Sequence, residues 1–256
     1  MLVDSHCHLD FPDLAGQLDS VFALMRDNDV GQALCVSVTL KDFPRVRMLA
    51  ETYPHLVASV GIHPDHEGEV TSETELVALA DHPKVVAIGE TGLDYYRLKG
   101  DLEWQRERFR THIRAARVCG KPLIVHTREA AADTIRIMGE EGAGAVGGVM
   151  HCFTESWEVA EAAIELGFYI SFSGIVTFKN AKVIKEVARR VPFEKMLIET
   201  DAPYLAPMPH RGKTNQPGYV RHVAEEIARI KGVTLDTVAT ATTENFFKLF
   251  TLARAV

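Results

Sequence analysis

Short apolar runs alternate with longer amphipathic stretches along the whole chain. The runs are four to six residues long and rich in Val, Ile and Leu, a pattern typical of strands buried in a parallel sheet. Polar or glycine-containing segments bound each of them, as expected for strand ends. The predicted strands span residues 2–5, 33–38, 56–60, 85–89, 122–126, 148–151, 169–172 and 196–199.

The stretches between the strands carry the periodicity of amphipathic helices. The predicted helices span residues 14–26, 43–51, 73–80, 102–118, 130–138, 158–166 and 181–189. The third begins with a start signal, because Ser72 and Glu75 are spaced so that each side chain can cap a backbone donor of the other. A proline-rich loop, 202–217, follows the last strand, and two further helices are predicted at 219–230 and 235–250.

Strands that alternate with helices predict a parallel sheet. Eight such units in 256 residues match a closed (β/α)8 TIM barrel, with an open doubly wound sheet as the alternative. No stretch has the composition of an interdomain linker. We therefore expect a single TIM-barrel domain over residues 1–256.

Composition narrows the class of protein. Apolar residues make up 46% and charged residues 25%, an ordinary globular balance. No apolar run is long enough for a membrane span, the start lacks the pattern of a secretory leader, and the four cysteines show no Cys-x-x-Cys spacing. These features predict a cytoplasmic protein with reduced thiols and no membrane partner. The net charge of −7 means that a polyanion would have to be attracted locally, by the site and its rim.

Residues that bind metals recur at the carboxyl ends of the predicted strands, where TIM barrels carry their active sites. His6 and His8 are two residues apart and should project from one face of the first strand. Imidazoles and carboxylates together suit a divalent metal, and six such groups exceed the four that a structural ion needs. The predicted metal ligands are His6, His8, Glu90, His126, His151 and Asp201.

Each of these residues also has an ordinary interpretation. Glu90 could cap the next helix or pair with an arginine, and His126 or His151 could be a hydrogen-bonded core histidine. Asp201 precedes Ala202-Pro203 and could be a turn residue. We favour metal ligation because the whole ring recurs at strand ends. We further interpret Asp201 as the acceptor of the proton of a metal-activated water.

Four more residues are predicted to bind substrate. His63 ends the third predicted strand, where it could contact substrate. The alternative is that it serves solely to anchor the turn before Pro64. Arg128 should share a face with His126 and contact a phosphate or a neighbouring acid such as Glu199. Arg211 and Lys213 lie in a basic loop after the last strand, which is well placed to hold a phosphate. The alternative for that loop is an ordinary solvated surface.

Six motifs of the chain resemble the TatD family of metal-dependent deoxyribonucleases, within the amidohydrolase-like metallohydrolases. They are Asp4-Ser5-His6-Cys7-His8-Leu9-Asp10, Gly61-Ile62-His63-Pro64, Gly89-Glu90-Thr91-Gly92-Leu93-Asp94-Tyr95, Pro122-Leu123-Ile124-Val125-His126-Thr127-Arg128, His151-Cys152-Phe153 and Glu199-Thr200-Asp201-Ala202-Pro203-Tyr204-Leu205. The resemblance runs essentially from end to end and is closest to the YcfH-like branch. Many members of the wider superfamily have a carbamylated lysine where this chain has Glu90, and a glutamate is the form expected in the TatD family.

The resemblance implies two divalent ions and hydrolysis of DNA phosphodiesters, with Glu90 and Asp201 as catalytic residues. The implied ligand sets are His6, His8 and Asp201 for one ion and His126 and His151 for the other, with Glu90 between them. Four histidines favour Zn²⁺, Mn²⁺ or Co²⁺ over Mg²⁺ by ligand type, whereas the resemblance implies Mg²⁺-supported activity. We therefore expect several metals to support turnover. We expect trimming in the 3′–5′ direction and a preference for single-stranded or frayed DNA ends, with no obligate protein partner.

Two other functions remain open from the sequence. A hydrolase of the same fold could act on another ester or amide, such as an aminoacyl-tRNA ester or a small molecule, because the chain lacks a large basic face. A non-catalytic, metal-stabilised interaction protein is the third hypothesis. A ring of six candidate ligand residues argues against it, because a structural site is closed by about four.

Overall fold

Eight parallel strands form the centre of the molecule and follow one another around a single sheet in chain order. The computed structural model describes residues 1–255. The strands are β1 (Leu2–Cys7), β2 (Val30–Cys35), β3 (Leu56–Val60), β4 (Val85–Asp94), β5 (Leu123–Arg128), β6 (Gly148–Met150), β7 (Tyr169–Phe172) and β8 (Met196–Ile198). Each is hydrogen-bonded to the next in parallel, so their carboxyl ends lie at the same edge of the sheet.

Helices connect the strands and cover the outside of the sheet. They are α1 (Pro12–Ala15), α2 (Leu18–Asp27), α3 (Phe43–Thr52), α4 (Glu73–Ala80), α5 (Glu103–Cys119), α6 (Ala131–Glu140), α7 (Trp157–Glu165), α8 (Lys182–Arg190), α9 (Val220–Lys231) and α10 (Leu235–Leu249). Within residues 1–255, no helix has the length and apolar character that a bilayer crossing requires.

The sheet curls so that its last strand meets its first. The backbone N–H of Asp201 donates to the carbonyl of His6 at 2.9 Å, and the N–H of His8 donates to the carbonyl of Ala202 at 2.8 Å. Cys7 and Ala202 form an isolated parallel bridge. The segment just after β8 therefore joins β1, which confirms the predicted (β/α)8 barrel over the open-sheet alternative.

Two apolar clusters pack against the sheet. The larger lies between the sheet and its surrounding helices. The smaller joins residues of seven strands to Phe246, Phe250 and Ala253. Gln32, in β2, donates to the carbonyl of Ala253 at 3.3 Å, and Asn245 donates to the carbonyl of Met196, where β8 begins, at 2.9 Å. Helix α10 and the turn after it thus cover the amino ends of the strands and leave the carboxyl ends free for a site.

One predicted helix is wrong in its extent. The stretch 14–26 was expected to be continuous, but the structure has a short helix, α1, and a separate helix, α2. Pro12 starts α1, which ends at Gly16, and Gln17 departs from helical geometry with φ −139° and ψ 30°. Glycine is a poor helix former and proline favours the first turn of a helix, so local preferences divide the amphipathic stretch.

One of the two hydrogen bonds predicted for the start of α4 is confirmed. The hydroxyl of Ser72 accepts a hydrogen bond from the backbone N–H of Glu75 at 3.1 Å, as predicted. The carboxylate of Glu75 accepts from the hydroxyl of Thr71 at 3.0 Å instead of completing the reciprocal cap. The predicted helix therefore begins where expected, with one capping bond in place of two.

Candidate metal centre

His6 and His8 lie at the carboxyl end of β1 and face the same side of the chain. Their Nε2 atoms are 3.2 Å apart, and both side chains are buried. Cys7 points elsewhere, because its thiol donates to the carbonyl of Leu34 at 3.5 Å. The alternation predicted for this segment is therefore confirmed, and two imidazoles present one nitrogen each at the same point.

Glu90 lies inside β4, which runs on to Asp94 and does not end at Gly89 as predicted. Gly89 has φ +144°, and a Cβ atom there would lie 2.7 Å from the carbonyl oxygen of Ile124. Only glycine fits this conformation and this close approach. The register of β4 against β5 shifts between Ile88 and Thr91, the interval that contains Gly89 and Glu90. The irregular step explains why the predicted strand was too short.

The carboxylate of Glu90 contacts two pairs of histidines with different oxygen atoms. Its Oε1 is 2.7 Å from Nε2 of His151 and 3.2 Å from Nδ1 of His126. Its Oε2 is 3.4 Å from Nε2 of His6 and 4.0 Å from Nε2 of His8. Glu90 therefore lies between the two halves of the predicted ligand set.

Asp201 belongs to the turn that follows β8. Its φ of +58° is a left-handed conformation that aspartate adopts more readily than most residues. Its Oδ1 is 3.4 Å from Nε2 of His8 and 3.7 Å from Nε2 of His6. The side chain is 15% exposed, more than any of those of His6, His8 and Glu90, so it reaches toward the open side of the site.

Three of the histidine rings have their other nitrogen held by an oxygen atom. The pairs are His8 Nδ1 with the carbonyl of Val36 at 2.9 Å, His126 Nε2 with Asp94 Oδ2 at 3.3 Å and His151 Nδ1 with Glu199 Oε1 at 3.2 Å. Such partners orient a metal-binding imidazole and select its tautomer. This role of Asp94 and Glu199 is not among the predictions from the sequence, although both residues lie in motifs that also contain a predicted ligand.

His63 stands beside the same carboxylate. Its Nε2 is 3.4 Å from Oε1 of Glu90, and its Nδ1 contacts Oδ1 of Asp65. The guanidinium of Arg108, from α5, donates to the carbonyls of His63 and Pro64, at 3.0 Å each. A helix of the outer layer thus fixes the loop that carries His63, a role of Arg108 that the sequence did not reveal.

The chemistry of the donor set fits a divalent cation. Because the Nδ1–H of His8 donates to a carbonyl, its Nε2 carries a lone pair that faces His6 and Asp201. A nitrogen and an oxygen with no proton between them repel each other unless a cation lies between them. One group of ligand atoms comes from His6, His8 and Glu90 and another from His63, Glu90 and His126, each within 4.8 Å of one another. These residues could hold metal ions.

The charges at the site favour the same conclusion. Burial alone would raise the pKa of Glu90, but the neighbouring histidines, chiefly His151 and His63, hold it well below its usual value. Burial would lower the pKa of His151, but the charges of Glu90 and Glu199 raise it well above its ordinary range. The buried carboxylates therefore favour protonated, positively charged imidazoles beside them. A metal ion competes with these protons, because an imidazole binds metal only when it is deprotonated.

A cavity of about 820 Å³ opens over these ligands. Its wall contains two arginines, Arg97 and Arg128, and the aromatic side chains of Phe11 and Tyr204. The guanidinium of Arg128 lies 3.9 Å above the ring of Tyr96, which is half exposed. The site therefore combines an acidic, histidine-rich floor with cationic and aromatic groups at the rim.

A family model described as TatD related DNase matches residues 3–251. The chain belongs to the TatD family. It is 48% identical over 252 residues to the uncharacterized metal-dependent hydrolase YcfH of Escherichia coli (strain K12), covering 97% of this chain and 95% of that protein. Over 239 residues it is 33% identical to a protein of Citrobacter rodentium (strain ICC168) named 3′-5′ ssDNA/RNA exonuclease TatD, covering 91% of each.

Solved structures agree with the sequence relatives. The crystal structure of YJJV, a TatD homologue from Escherichia coli K12, superposes with a TM-score of 0.90 at 30% identity, covering 98% of each chain. The resemblance inferred from the motifs is therefore confirmed, as is the TIM barrel. This TatD-family chain is a metal-dependent hydrolase.

The structure brings all six predicted metal-ligand residues of this TatD-family chain to one place, together with His63. Arg128 lines the cavity but stacks on Tyr96, while Glu199 contacts His151, so the suggested contact between Arg128 and Glu199 is wrong. Arg211 and Lys213 are exposed and lie outside the cavity wall, with Arg211 stacked 4.3 Å above Phe178.

Proposed function

We propose that this protein is a metal-dependent deoxyribonuclease that trims DNA from single-stranded or frayed ends in the 3′–5′ direction. One observation carries the proposal: Glu90 offers its two oxygens to two different histidine pairs at the floor of a cavity with arginines in its wall. A phosphodiester needs both parts of such a site. It needs electrophilic assistance at phosphorus and positive charge for its non-bridging oxygens.

The residues described above would hold two divalent ions. The candidate metals are Mg²⁺, Mn²⁺ and Zn²⁺. His6, His8 and Asp201 would hold one, and His126 and His151 the other, with Glu90 contributing one oxygen to each. When bound, such ions supply Lewis acidity and lower the pKa of a water molecule enough for it to attack near neutral pH.

Asp201 is the residue we assign to proton removal. It is the carboxylate of the ligand set with the greatest exposure toward the cavity, and its pKa is lowered, because the neighbouring imidazoles, chiefly those of His8 and His6, outweigh the effect of burial. An ionised carboxylate in this position accepts the proton of the attacking water as the oxygen–phosphorus bond forms. The deoxyribose oxygen then departs from phosphorus, taking up a proton from solvent.

The wall of the cavity would hold the strand end. Arg128 can donate paired hydrogen bonds to phosphate oxygens, while its face remains stacked on Tyr96. Tyr204 is 55% exposed, and its ring is 6.1 Å from the ring of Phe11, so the pair offers an apolar surface for a base. Stacking of this kind tolerates any base and suits single strands. His63 lies at the floor, where it would contact the scissile phosphate.

Arg211 and Lys213 would act farther out. Both are exposed and follow the same strand as Asp201. We assign them to a phosphate of the strand beyond the cavity, where they add attraction to an otherwise acidic molecule. The relative named 3′-5′ ssDNA/RNA exonuclease TatD supports both the direction of trimming and the preference for single strands.

The test is a time course on single-stranded DNA labelled at its 5′ end, with Mg²⁺, Mn²⁺ or Zn²⁺ added to metal-stripped protein. We expect products that shorten progressively from the 3′ end and a closed circular single strand that stays intact. Glu90→Ala should be inactive but folded by circular dichroism, because the ligands lie at the mouth while apolar clusters hold the barrel. Early internal cuts in the circle would overturn the exonuclease assignment.

A parallel panel addresses the other substrates. Single-stranded RNA, an aminoacyl-tRNA and small esters and amides are incubated under the same conditions. If one of these is turned over with a kcat/KM at least tenfold above that of DNA, and Glu90→Ala abolishes the reaction, DNA is not the preferred substrate. The metal-dependent hydrolysis itself would then stand while the deoxyribonuclease assignment falls.

A further inference from the structure

The imidazoles of His6 and His151 stack face to face in the barrel, although they come from different strands. Their ring centroids are 4.0 Å apart and their planes differ by 13°. One edge of the stack faces Glu90, whose Oε2 is 3.4 Å from His6 Nε2 and whose Oε1 is 2.7 Å from His151 Nε2. A second carboxylate, that of Glu199, lies at the opposite edge.

Glu199 is fully buried and engages only one of the two rings directly. Its Oε1 is 3.2 Å from Nδ1 of His151. Its Oε2 and Nδ1 of His6 are both buried, and neither has a hydrogen-bond partner among the residues that the structure describes. One ring nitrogen of each histidine and one oxygen of Glu199 lie within 4.8 Å of one another. A ring nitrogen of His6 and an oxygen of Glu199 are thus both buried without a partner in one cluster of side chains, and each is costly to bury alone.

We propose that Glu199 is a positioning residue that accepts the Nδ1–H of both His6 and His151. The second bond closes by a small side-chain movement or through one buried water. With both Nδ1 atoms protonated, both Nε2 atoms carry lone pairs and point at Glu90. Glu199 therefore sets one tautomer for two histidines that belong to different halves of the ligand set.

The two edges of the stack are not equivalent, which decides where the metal lies. Glu90 lines the cavity, with His8 and His126 beside its carboxylate and Asp201 beside His6. Glu199 is closed off from solvent, and in the described chain its candidate ligand group contains only the two stacked rings. The metal-binding lone pairs therefore belong on the side of Glu90, and the protons on the side of Glu199.

Asp94 provides a matched comparison within the same site. Its Oδ2 is 3.3 Å from Nε2 of His126, and its other oxygen accepts from the backbone of Tyr96 and Arg97. Asp94 thus orients a single histidine of one half of the site. Loss of Glu199 should disturb both halves, whereas loss of the Asp94 charge should disturb only the half that contains His126.

The first test is calorimetric titration of metal-stripped protein with Zn²⁺ alone. Glu199→Gln can accept one N–H through its carbonyl, but its NH₂ group opposes the other. We expect Zn²⁺ affinity to fall at least tenfold for every ion bound by the wild type, the usual range for such partners. Asp94→Asn should weaken one binding event and leave another within threefold. Affinities of Glu199→Gln all within tenfold of the wild type would overturn the proposal.

The second test is made first on the wild-type protein, so it remains informative if Glu199→Gln does not fold. Nitrogen-15 spectra of the Zn²⁺-loaded wild-type protein report which nitrogen of each ring carries the proton. We expect slowly exchanging Nδ1–H signals from both His6 and His151, and in Glu199→Gln the shift or loss of at least one. A proton on Nε2 of either ring, or rapid exchange at Nδ1 of His6, contradicts the assignment.

The inference rests on the proposed metal centre but not on DNA as substrate. A wild-type protein that binds no divalent ion would overturn both the metal centre and the role of Glu199. Normal metal binding with no cleavage of DNA would leave Glu199 as described and overturn only the nuclease assignment. The readouts therefore separate the two.

Discussion

The difference between holding a metal and moving a proton can be tested at Asp201. Its carboxylate is 3.4 Å from Nε2 of His8, and it is the most exposed acid of the ligand set. Asp201→Asn keeps an oxygen ligand but loses the basic group. We expect most of the Zn²⁺ affinity to remain and kcat to fall by roughly 10²–10⁴-fold, the usual share of a positioned proton acceptor. Cleavage of DNA at the parental rate would remove Asp201 from the proton-transfer step.

His112 makes a second residue-scale prediction, concerning stability. It is fully buried in α5, where Nδ1 donates to the carbonyl of Arg108 at 2.8 Å and Nε2 accepts from the N–H of Ile62 at 3.1 Å. Burial lowers its pKa to about 4. In the unfolded chain the imidazole of His112 has its ordinary pKa of about 6.5. Between that pH and about 4 it therefore binds a proton in the unfolded state and stays neutral in the folded state. Stability contributed by neutral His112 is therefore complete above pH 6.5 and is lost as pH falls toward 4.

The size of this effect follows from linkage. Between pH 7 and pH 4.5, His112 should remove about 2–3 kcal/mol from the free energy of unfolding. Urea titrations of metal-stripped protein at both pH values, in wild type and His112→Gln, measure it. The variant is expected to lose that much less than the wild type over the interval. Equal losses in the two proteins would show that His112 does not titrate in this range.

Residue type and strand-end position together made it possible to predict from the sequence which residues the structure brings together at the candidate metal centre. His6 and His8 share a face by simple alternation, and His126, His151 and Asp201 follow recognisable apolar runs. Glu199 could not be assigned in the same way, because its role depends on the stacking of two rings from β1 and the end of β6. No spacing within one strand encodes a contact between residues 48 positions apart, the separation of His151 and Glu199.

At the scale of elements, the close approach of β4 and β5 explains how Glu90 and His126 meet. Gly92 pairs with His126, has φ +130°, and a Cβ there would lie 2.0 Å from the carbonyl oxygen of His126. Gly92→Ala should therefore cost at least about 2 kcal/mol of unfolding free energy through backbone strain and displacement of β5. It should also weaken Zn²⁺ binding. Urea unfolding and calorimetry measure the two effects.

Gly100→Ala is the matched control for that substitution. Gly100 also has a positive φ, +99°, but nothing lies within 4 Å of its added Cβ. Alanine there should lower the free energy of unfolding by about 1 kcal/mol, the cost of placing a side chain at a backbone conformation that favours glycine. Metal binding should be unchanged. Equal effects of the two substitutions would mean that the contact with β5 is unimportant.

Element order was predictable because strand and helix periodicities alternate without interruption, but some boundaries were not. The predicted helix 14–26 divides at Gly16 and Gln17, where local backbone preference outweighs the amphipathic pattern. β4 continues five residues past its predicted end, to Asp94. The sequence there is Gly-Glu-Thr-Gly, a composition typical of a loop. Only the pairing with β5 shows that this segment is a strand.

At the scale of the whole molecule, the two ends of the barrel differ in what they can bind. Phe246 and Phe250 close the amino ends of the strands, whereas the carboxyl ends open into the cavity. With a net charge of −7, the protein has no general attraction for DNA. Under the proposed function, affinity for DNA must then come from the few cations in the cavity wall and on the loop after β8, and binding should be sensitive to each of them.

The exposed pair Arg211 and Lys213 tests that expectation. Alanine at both positions should raise KM for single-stranded DNA more than it lowers kcat, because these residues would contact the strand equally in the ground and transition states. The plot of log affinity against log salt concentration should become shallower by roughly one unit, since one or two phosphate contacts are lost. Initial rates and equilibrium binding across a salt series measure both quantities.

A double substitution at the other end of the barrel is the control for net charge. Arg26 and Lys248 are exposed near the closed amino ends of the strands, and alanine at both removes the same charge. If attraction were set by overall charge, the two double variants would share one salt dependence and one KM. We expect the control to match the wild type, because screening confines an exposed charge to about 10 Å at 0.1 M salt. A control that shifts KM as far as the Arg211 and Lys213 pair would show that the loop has no specific contact with the strand.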